Sequence, residues 1–559
     1  MSKIFEAFCT LRQYQEDFSD RHLLHGVLAK WASEKPSRPA IIDHDRGQVV
    51  DWITFERTAT ALAMRLVRLG FRRGDFLAAS LPFLTEHIFL EYACFKIGVI
   101  HAPLDLRLRP AEVLRCLNQI RARGFAFLGR TPAADFRELG RAVKQGCPSV
   151  EHLIQFSGAQ ETIDGALAFE QLASHTPGGH AEYDQAAAAV REEDGAQVIF
   201  TTGSTGSPKP ALLSHRNITC QNLCLGAALG FGEDTRLLVN LPPSHVGGQA
   251  EALMTTLYWG GTAVVLAVFD PARSLQAVER HRVNIVGQIP AMFNYQWRQP
   301  DYANYDLSSL QIAIYGGQQV PRQFLERLSK MAPKIATGLG LTEAAGFCTY
   351  TPVGGSVDEV LASIGLDMPL YPMTIRKAMQ EDGLAGAPLP DGEVGHICFH
   401  GPQTFLGYVS DPQATARTVS RDGFLYTGDM GRRDEQGLHF AGRAKWVMKP
   451  AGHQVFPGDV ENHICTLEEK VAACAVVGVE HPLLSEAIVA FVEKRPGVEL
   501  TVSELRRHAK GMASYMRPLH YVILEPGGMP LNRVAKGDYF RLQEMAREVA
   551  GRLGWRAGV

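Results

Sequence analysis

The stretch most able to do chemistry is Thr201-Thr202-Gly203-Ser204-Thr205-Gly206-Ser207-Pro208-Lys209. Its five hydroxyls and its run of backbone N–H groups offer donors to an anion. The glycines permit close approach and positive φ, and Lys209 adds a charge. It is not a Walker A loop, because GxxxxGK[ST] is absent. A Ser/Thr/Gly run alone also reads as a solvated linker. Two features favour an anion site: strand-like residues 198–200 run into it, and Ser214 is placed to N-cap a helix beginning at His215. Four further residues stand singly. Lys536 alone reads as a surface lysine, Asp429 as a turn residue, Glu343 as a charge at a helix N-terminus, and His245 as a structural histidine.

Such residues need a scaffold that holds loops at strand ends. Residues 53–70 carry apolar positions at helical spacing and stop on Gly70. Residues 76–81 read as a strand, 84–97 as a helix and 98–104 as a strand. The alternation continues through 198–200 (strand), a loop, and a helix from 215. Then come 262–267 (strand), 271–282 (helix), 284–289 (strand) and 311–317 (strand then Gly turn). This period predicts an α/β architecture with parallel-rich sheets. Residues 380–445 change to short strands separated by DG, GD and QG turns, a β-rich subdomain. Residues 447–559 return to strand and helix and make a small α+β domain. No internal repeat is present.

Length and charge limit the function classes. At roughly 100–200 residues per domain, 559 residues imply several domain-sized units. The 56 Lys+Arg against 59 Asp+Glu give a net charge of −3, which argues against a bulk grip on nucleic acid or an anionic membrane. The ten cysteines form no CxxC pair and no zinc spacing, a pattern of buried thiols in a reducing compartment. The N-terminal residues lack a signal-type apolar core, and no stretch reaches about 18 uninterrupted apolar residues. The expectation is a cytoplasmic protein without integral membrane association.

The 201–209 loop resembles the signature loop of the adenylate-forming superfamily, which holds acyl-CoA synthetases, luciferases and peptide-synthetase adenylation domains. Five further segments follow in that superfamily's order: LPPSHVGGQ (241–249), Tyr315-Gly316-Gly317 with GLGLTE (338–343), Tyr426-Thr427-Gly428-Asp429, Gly442-Arg443-Ala444-Lys445, and the segment 530–536 ending on Lys536. The resemblance covers nearly the whole chain and is most like an AMP-forming acyl-CoA ligase.

It implies an AMP-binding N-terminal domain (1–442), a hinge (443–446) and a C-terminal lid domain (447–559). It further implies ATP, Mg2+ and coenzyme A as cofactors and a small-molecule carboxylic acid as substrate. Lys536, Glu343, Thr342 and His245 would be catalytic, with Glu343 and Thr205 toward the metal. The nucleotide and coenzyme A would meet Thr201, Thr202, Gly203, Ser204, Thr205, Gly206, Lys209, Gly316, Gly317, Gln318, Leu339, Gly340, Asp429, Arg443, Lys445 and Gly452. The acid would meet His245, Val246, Gly247, Gly248, Tyr315 and Leu339. The C-terminal domain would rotate about Lys445 between half-reactions, with Gly452 leaving room for a thiol arm.

Four positions depart from the superfamily pattern. Pro210 follows the loop lysine, Leu339 replaces an aromatic that stacks on adenine, Trp446 follows the hinge lysine, and Ala535 precedes Lys536. None removes a charge. Val246 stands where amino-acid-activating relatives carry an Asp, which argues against an α-amino acid. The apolar Val246, Tyr315, Leu339 and Phe347, with Gly247, Gly248, Gly260 and Gly261 as walls of little bulk, point to a hydrophobic acid, whether fatty, alicyclic or aromatic. The alternatives are an acyl-AMP ligase that loads a carrier protein and a non-catalytic acyl- or nucleotide-binding relative, with luciferase-like oxidation a remote third. Homodimerisation stays open.

Overall fold

The computed structural model describes residues 9–132, 134–156, 161–173, 180–201, 208–531 and 537–555. The chain divides into two compact units. The first is Met1–Met373 with Asp382–Leu384 and Phe399–Leu425; the second is Thr374–Glu381, Ala385–Cys398 and Tyr426–Val559. The second unit therefore takes in segments upstream of 443–446 as well as the chain after it.

The first unit is built on two large sheets. One has the strand order Lys334–Ala336, Ile312–Tyr315, Ile285–Gln288, Arg236–Val239, Thr262–Val265, Pro39–Asp43, Gln48–Asp51, parallel except at the last pair. The other runs Gly407–Tyr408, Lys209–Ser214, Gly195–Thr201, Ile100–Pro103, Phe76–Ser80, Gly124–Leu128, His152–Phe156, Ala166–Ala168. It is antiparallel across its first two pairs and parallel thereafter. Strands buried on both faces read as continuous apolar runs. Accordingly Leu238, Val264, Val286, Ala313 and Ile335 sit in one core, and Ala78, Ala102, Phe125, Phe127 and Val198 in another.

The helices between the strands start where local chemistry starts them. Asp51 accepts a bond from Thr54 N–H ahead of Trp52–Arg68, and Asp270 accepts one from Arg273 N–H ahead of Pro271–His281, which opens on proline. Ser214 caps His215–Leu229 through Asn217 N–H at 3.0 Å. The segment before that helix differs from the expectation. Lys209–Ser214 is a strand paired antiparallel to Gly195–Thr201. Short apolar runs such as 210–213 carry no period that separates strand from loop.

The second unit carries most of a four-stranded sheet, Met373–Arg376, Gly395–His400, Phe424–Asp434, Gly437–Arg443. It also holds a three-stranded sheet, Val471–His481, Ser485–Lys494, His520–Leu524. Period-two alternation splits that second sheet's side chains between two cores. Val476, Ile488, Ala490 and Val492 pack with Val460, Ile464 and Leu505; Val477, Val489 and Phe491 pack with Leu542 and Ala546 of the helix Tyr539–Arg552.

All ten cysteines are free thiols, eight of them buried. Among the described residues no helix is long and apolar enough to cross a membrane.

Candidate functional site

In the first unit the candidate residues lie at the carboxyl ends of parallel strands, where open α/β sheets hold ligands. Arg236–Val239 releases the segment that carries His245 and Val246. Ile312–Tyr315 releases Gly316, Gly317 and Gln318. Lys334–Ala336 releases Leu339 and Gly340. Tyr315 is buried and paired in register with Gln288, and its carbonyl accepts the Thr337 hydroxyl at 2.8 Å. Gly317 has φ +94°, the left-handed turn that lets the chain leave the strand. Gly317 and Gln318 are exposed and Gly316 half-buried. Leu339 is half-buried; its N–H donates to Thr349 Oγ1 at 2.9 Å and its carbonyl accepts Cys348 N–H at 2.7 Å. Gly340-Leu341 then forms a hairpin with Gly346-Phe347.

Thr342 and Glu343 occupy a single 3-10 turn after that strand. Glu343 is anchored twice. Its carbonyl accepts Phe405 N–H at 2.9 Å, and its Oε1 accepts the Tyr408 hydroxyl at 2.5 Å. Lys209 Nζ stands 5.1 Å from the centre of the same Tyr408 ring. Tyr408 thus links Lys209, the strand partner of Thr201, to the Glu343 carboxylate. Burial, and then the Glu343 charge, push the Tyr408 hydroxyl above its ordinary value, so it stays protonated as the donor. The sequence reading did not single out Tyr408. It lies 65 residues from Glu343, and no local pattern marks the contact.

His245 is half-buried; the Asp105 carboxylate, which burial alone would raise, is held below its usual range chiefly by Arg107 at 2.6 Å and last by His245. Beyond Val246 the chain forms a π-helix, Gly247–Met254, in which Glu251 N–H donates to Val246 O at 2.9 Å. Such wide turns recur at functional sites. Here the turn brings Glu251 among three glycines. A β-carbon at Gly247 would lie 3.4 Å from Glu251 Oε2, one at Gly340 would lie 3.3 Å from Oε1, and one at Gly346 would lie 2.8 Å from Oε1. Burial pushes the Glu251 carboxyl up to about 7, against one backbone bond from Phe347.

The other glycines have packing reasons. A β-carbon on Gly248 would sit 2.4 Å from Pro242 O. Gly260 and Gly261 are not pocket walls: β-carbons there would meet Trp31 Cε2 at 2.9 Å and Thr235 O at 2.7 Å. They precede the strand Thr262–Val265, at the end of the sheet away from the candidate residues.

In the second unit Asp429 and Arg443 face each other across the hairpin of Phe424–Asp434 and Gly437–Arg443, with Arg443 Nε 2.8 Å from Asp429 Oδ1. Asp429 is buried, whereas the Arg443 side chain is 55% exposed. Thr427 Oγ1 accepts Asp429 N–H at 3.1 Å and donates to Ile397 O at 2.9 Å. Lys445 Nζ lies 4.6 Å from the Trp446 ring and 4.2 Å from the Phe540 ring. Burial, and then the Arg443 charge, lower it to about 8. Trp446 stacks on Tyr539 at 5.6 Å, and the Tyr539 hydroxyl donates to Glu461 at 2.6 Å. Gly452 has φ +82°, and a β-carbon there would meet no atom within 4 Å.

Thr202, Gly203, Ser204, Thr205, Gly206 and Lys536 lie outside the described residues. Among the described residues no group of three or more His, Cys, Asp or Glu could hold a metal ion. The partly exposed Glu343 is of the kind that would hold Mg2+, which is commonly bound by one or two carboxylates plus phosphates.

The chain resembles known proteins over most of its length. Residues 28–409 match the family described as AMP-binding enzyme, and residues 459–536 match its C-terminal domain. A feruloyl-CoA synthase of Amycolatopsis sp is 30% identical over 472 residues, covering 82% of this chain and 86% of that one. A mitochondrial medium-chain acyl-CoA ligase of Macaca fascicularis is 26% identical, covering 95% and 89%. Among solved structures, an anthranilate CoA ligase in complex with anthranoyl-AMP superposes with a TM-score of 0.80 at 21% identity, over 95% of this chain and 98% of that one. ATP-bound MatB of Rhodopseudomonas palustris gives 0.77 at 23% identity, over 95% and 99%. At these identities the solved structures establish the fold, an α/β architecture with parallel-rich sheets and a small C-terminal α+β region.

Proposed function

The chain belongs to the family of AMP-binding enzymes, and on that premise we propose that it joins a hydrophobic carboxylic acid to coenzyme A through an acyl-adenylate. The observation that carries the reading is the Lys209–Tyr408–Glu343 chain. It sets a cation and an anchored carboxylate beside a segment rich in anion donors.

The chemistry runs in two halves. A carboxylate oxygen attacks the α-phosphorus of ATP, the bond to the bridging oxygen breaks, and pyrophosphate leaves. The thiol sulfur then attacks the acyl carbon, its proton is lost, and AMP leaves. The first half brings two anions together, so fixed donors and cations offset their repulsion. Glu343, with Thr205, would hold Mg2+, which when bound neutralises phosphate charge. Tyr408 fixes the Glu343 carboxylate in one rotamer. Lys209 and the 201–206 donors cradle phosphate oxygens. Asp429 accepts bonds from the ribose hydroxyls, with Arg443 alongside it. Lys536 is assigned to the first half-reaction, where its charge would offset the approach of the carboxylate to the α-phosphate. Its lid domain, 447–559, turns about Lys445 in the 443–446 hinge and brings Gly452 to the thiol.

The acyl pocket in this reading is lined by Val246, Tyr315, Leu339 and Phe347, which favours an apolar acid. The named activities of the relatives, on ferulic and medium-chain acids, agree with a hydrophobic acyl group. The test is mass spectrometry of the purified chain with ATP, Mg2+ and a panel of short, medium and long fatty, alicyclic, aromatic and amino acids, with and without coenzyme A. Acyl-CoA and AMP formed only with coenzyme A support the reading. Adenylate that accumulates and is not consumed by coenzyme A points to a carrier-protein acceptor. No adenylate from any acid refutes it.

A further inference from the structure

Glu251 is a carboxylate beside the candidate residues Gly247 and Gly340, and nothing in the two half-reactions uses it. Its surroundings are specific. Gly247, Gly340 and Gly346 leave room for its side chain, with both oxygens within 3.4 Å of where their β-carbons would stand. Gly340 is exposed and Gly247 half-buried, so the carboxylate borders the open side of the strand ends rather than a closed core.

A second group converges on the same place. Gln221, on the capped helix His215–Leu229, is fully buried. Its Nε2 would lie 3.0 Å from a β-carbon at Gly346, and among the described residues it has no hydrogen-bond partner. Its orientation is set from behind, because its Oε1 accepts Asn222 Nδ2 at 2.9 Å, and that Nδ2 also donates to Ala250 O at 2.7 Å. Nε2 therefore points away from Asn222. A buried donor left unsatisfied is destabilising, so the site favours a ligand that supplies an acceptor. A carboxylate that accepts one backbone bond, from Phe347, and an amide N–H short of an acceptor meet at Gly346. A hydroxyl, which donates once and accepts on its lone pairs, complements both. An ammonium serves the carboxylate alone.

We infer that Glu251 is a specificity-determining residue that accepts a hydrogen bond from a hydroxyl group on the acyl part of the carboxylic acid, with Gln221 as the opposing donor. The inference rests on the ligase reading above and narrows its substrate to a hydroxylated, otherwise apolar acid. Burial raises the Glu251 carboxyl to about 7, against the one backbone bond it accepts from Phe347. A site built to bond a substrate hydroxyl discriminates strongly against the analogue that lacks it, because its own polar groups are then left unpaired.

The experiment compares adenylation kcat/KM for matched acids: hydroxybenzoates against benzoate, hydroxycinnamates against cinnamate, and ω-hydroxyoctanoate against octanoate. Wild type, Glu251→Gln and Glu251→Leu are measured together, with thermal melts. The expected result is a preference of at least about 10-fold for the hydroxy acid in one pair. Glu251→Leu should remove it, mainly through KM. Glu251→Gln, which keeps an acceptor oxygen, should retain part of it and remains readable if the Leu variant does not fold. Adenylation with no preference in any pair, or with a preference unchanged by both substitutions, overturns this inference alone. A uniform loss for all acids assigns Glu251 a structural role and also overturns it. Adenylation of no acid overturns the ligase reading and this inference with it.

Discussion

Tyr408→Phe isolates the contact that organises the proposed metal and phosphate end of the site. The substitution removes one hydroxyl that donates to Glu343 Oε1 at 2.5 Å and leaves the ring in place. The ring's contacts persist: Phe405 at 4.9 Å and Lys209 Nζ at 5.1 Å. Hydrogen bonds to charged groups contribute about 1.5–3 kcal/mol. Tyr408 is 9% exposed, so water replaces the lost donor only in part. A loss of about 2 kcal/mol in organising Glu343 corresponds to about 30-fold in rate. The assay is pyrophosphate release during adenylation, titrated with Mg2+ at fixed ATP, for wild type, Tyr408→Phe, Glu343→Gln and the double variant. Tyr408→Phe should lower adenylation about 30-fold and raise the half-saturating Mg2+ concentration. If Tyr408 acts through Glu343, the double variant is no worse than Glu343→Gln alone. Additive losses would refute the reasoning, as would a Tyr408→Phe enzyme with wild-type Mg2+ dependence.

Three further outcomes are expected. Lys536→Ala should abolish adenylate formation while sparing thioester formation from supplied acyl-adenylate; equal loss of both halves would remove Lys536 from the first. Gly452→Leu should cost about 1–2 kcal/mol because φ is +82°, not because of crowding, and should depress thiol transfer more than adenylation; melts and the two half-reaction rates separate these effects. The Glu461 carboxyl is raised from 4.5 to about 7, first by burial. The native state then holds its proton longer than the unfolded chain, so its contribution to stability is full below pH 4.5, falls as pH rises to 7, and is flat above. Glu461→Gln should therefore be more stable than wild type at pH 8, by about 1–3 kcal/mol, and equal to it at pH 4.5. A variant less stable at pH 8 would show that the Tyr539 and Val476 bonds to the carboxylate outweigh its burial.

What the sequence determined by itself is what short windows of residues determine. Strand and helix alternation, the Ser214 cap, the turn at Gly317 and the order of the six segments need only neighbours a few positions apart, or the linear order of motifs. The tertiary structure decided the rest. Lys209–Ser214 became a strand because Gly195–Thr201 and Gly407–Tyr408 lie on either side to pair with it. Gly260 and Gly261 turned out to serve Trp31 and Thr235, partners that no local pattern announces. Tyr408 reaches Glu343 and Gln221 reaches Gly346 across 65 and 125 residues, because separate segments are brought to one place by the packing of sheets and helices. Glu251, six positions after His245, would be assigned its direction from an α-helical period. The π-turn bonds to the residue five back and changes that direction. Residue type and spacing name the groups that can do chemistry; the pairing of distant strands, a property of the whole chain, sets which of them meet.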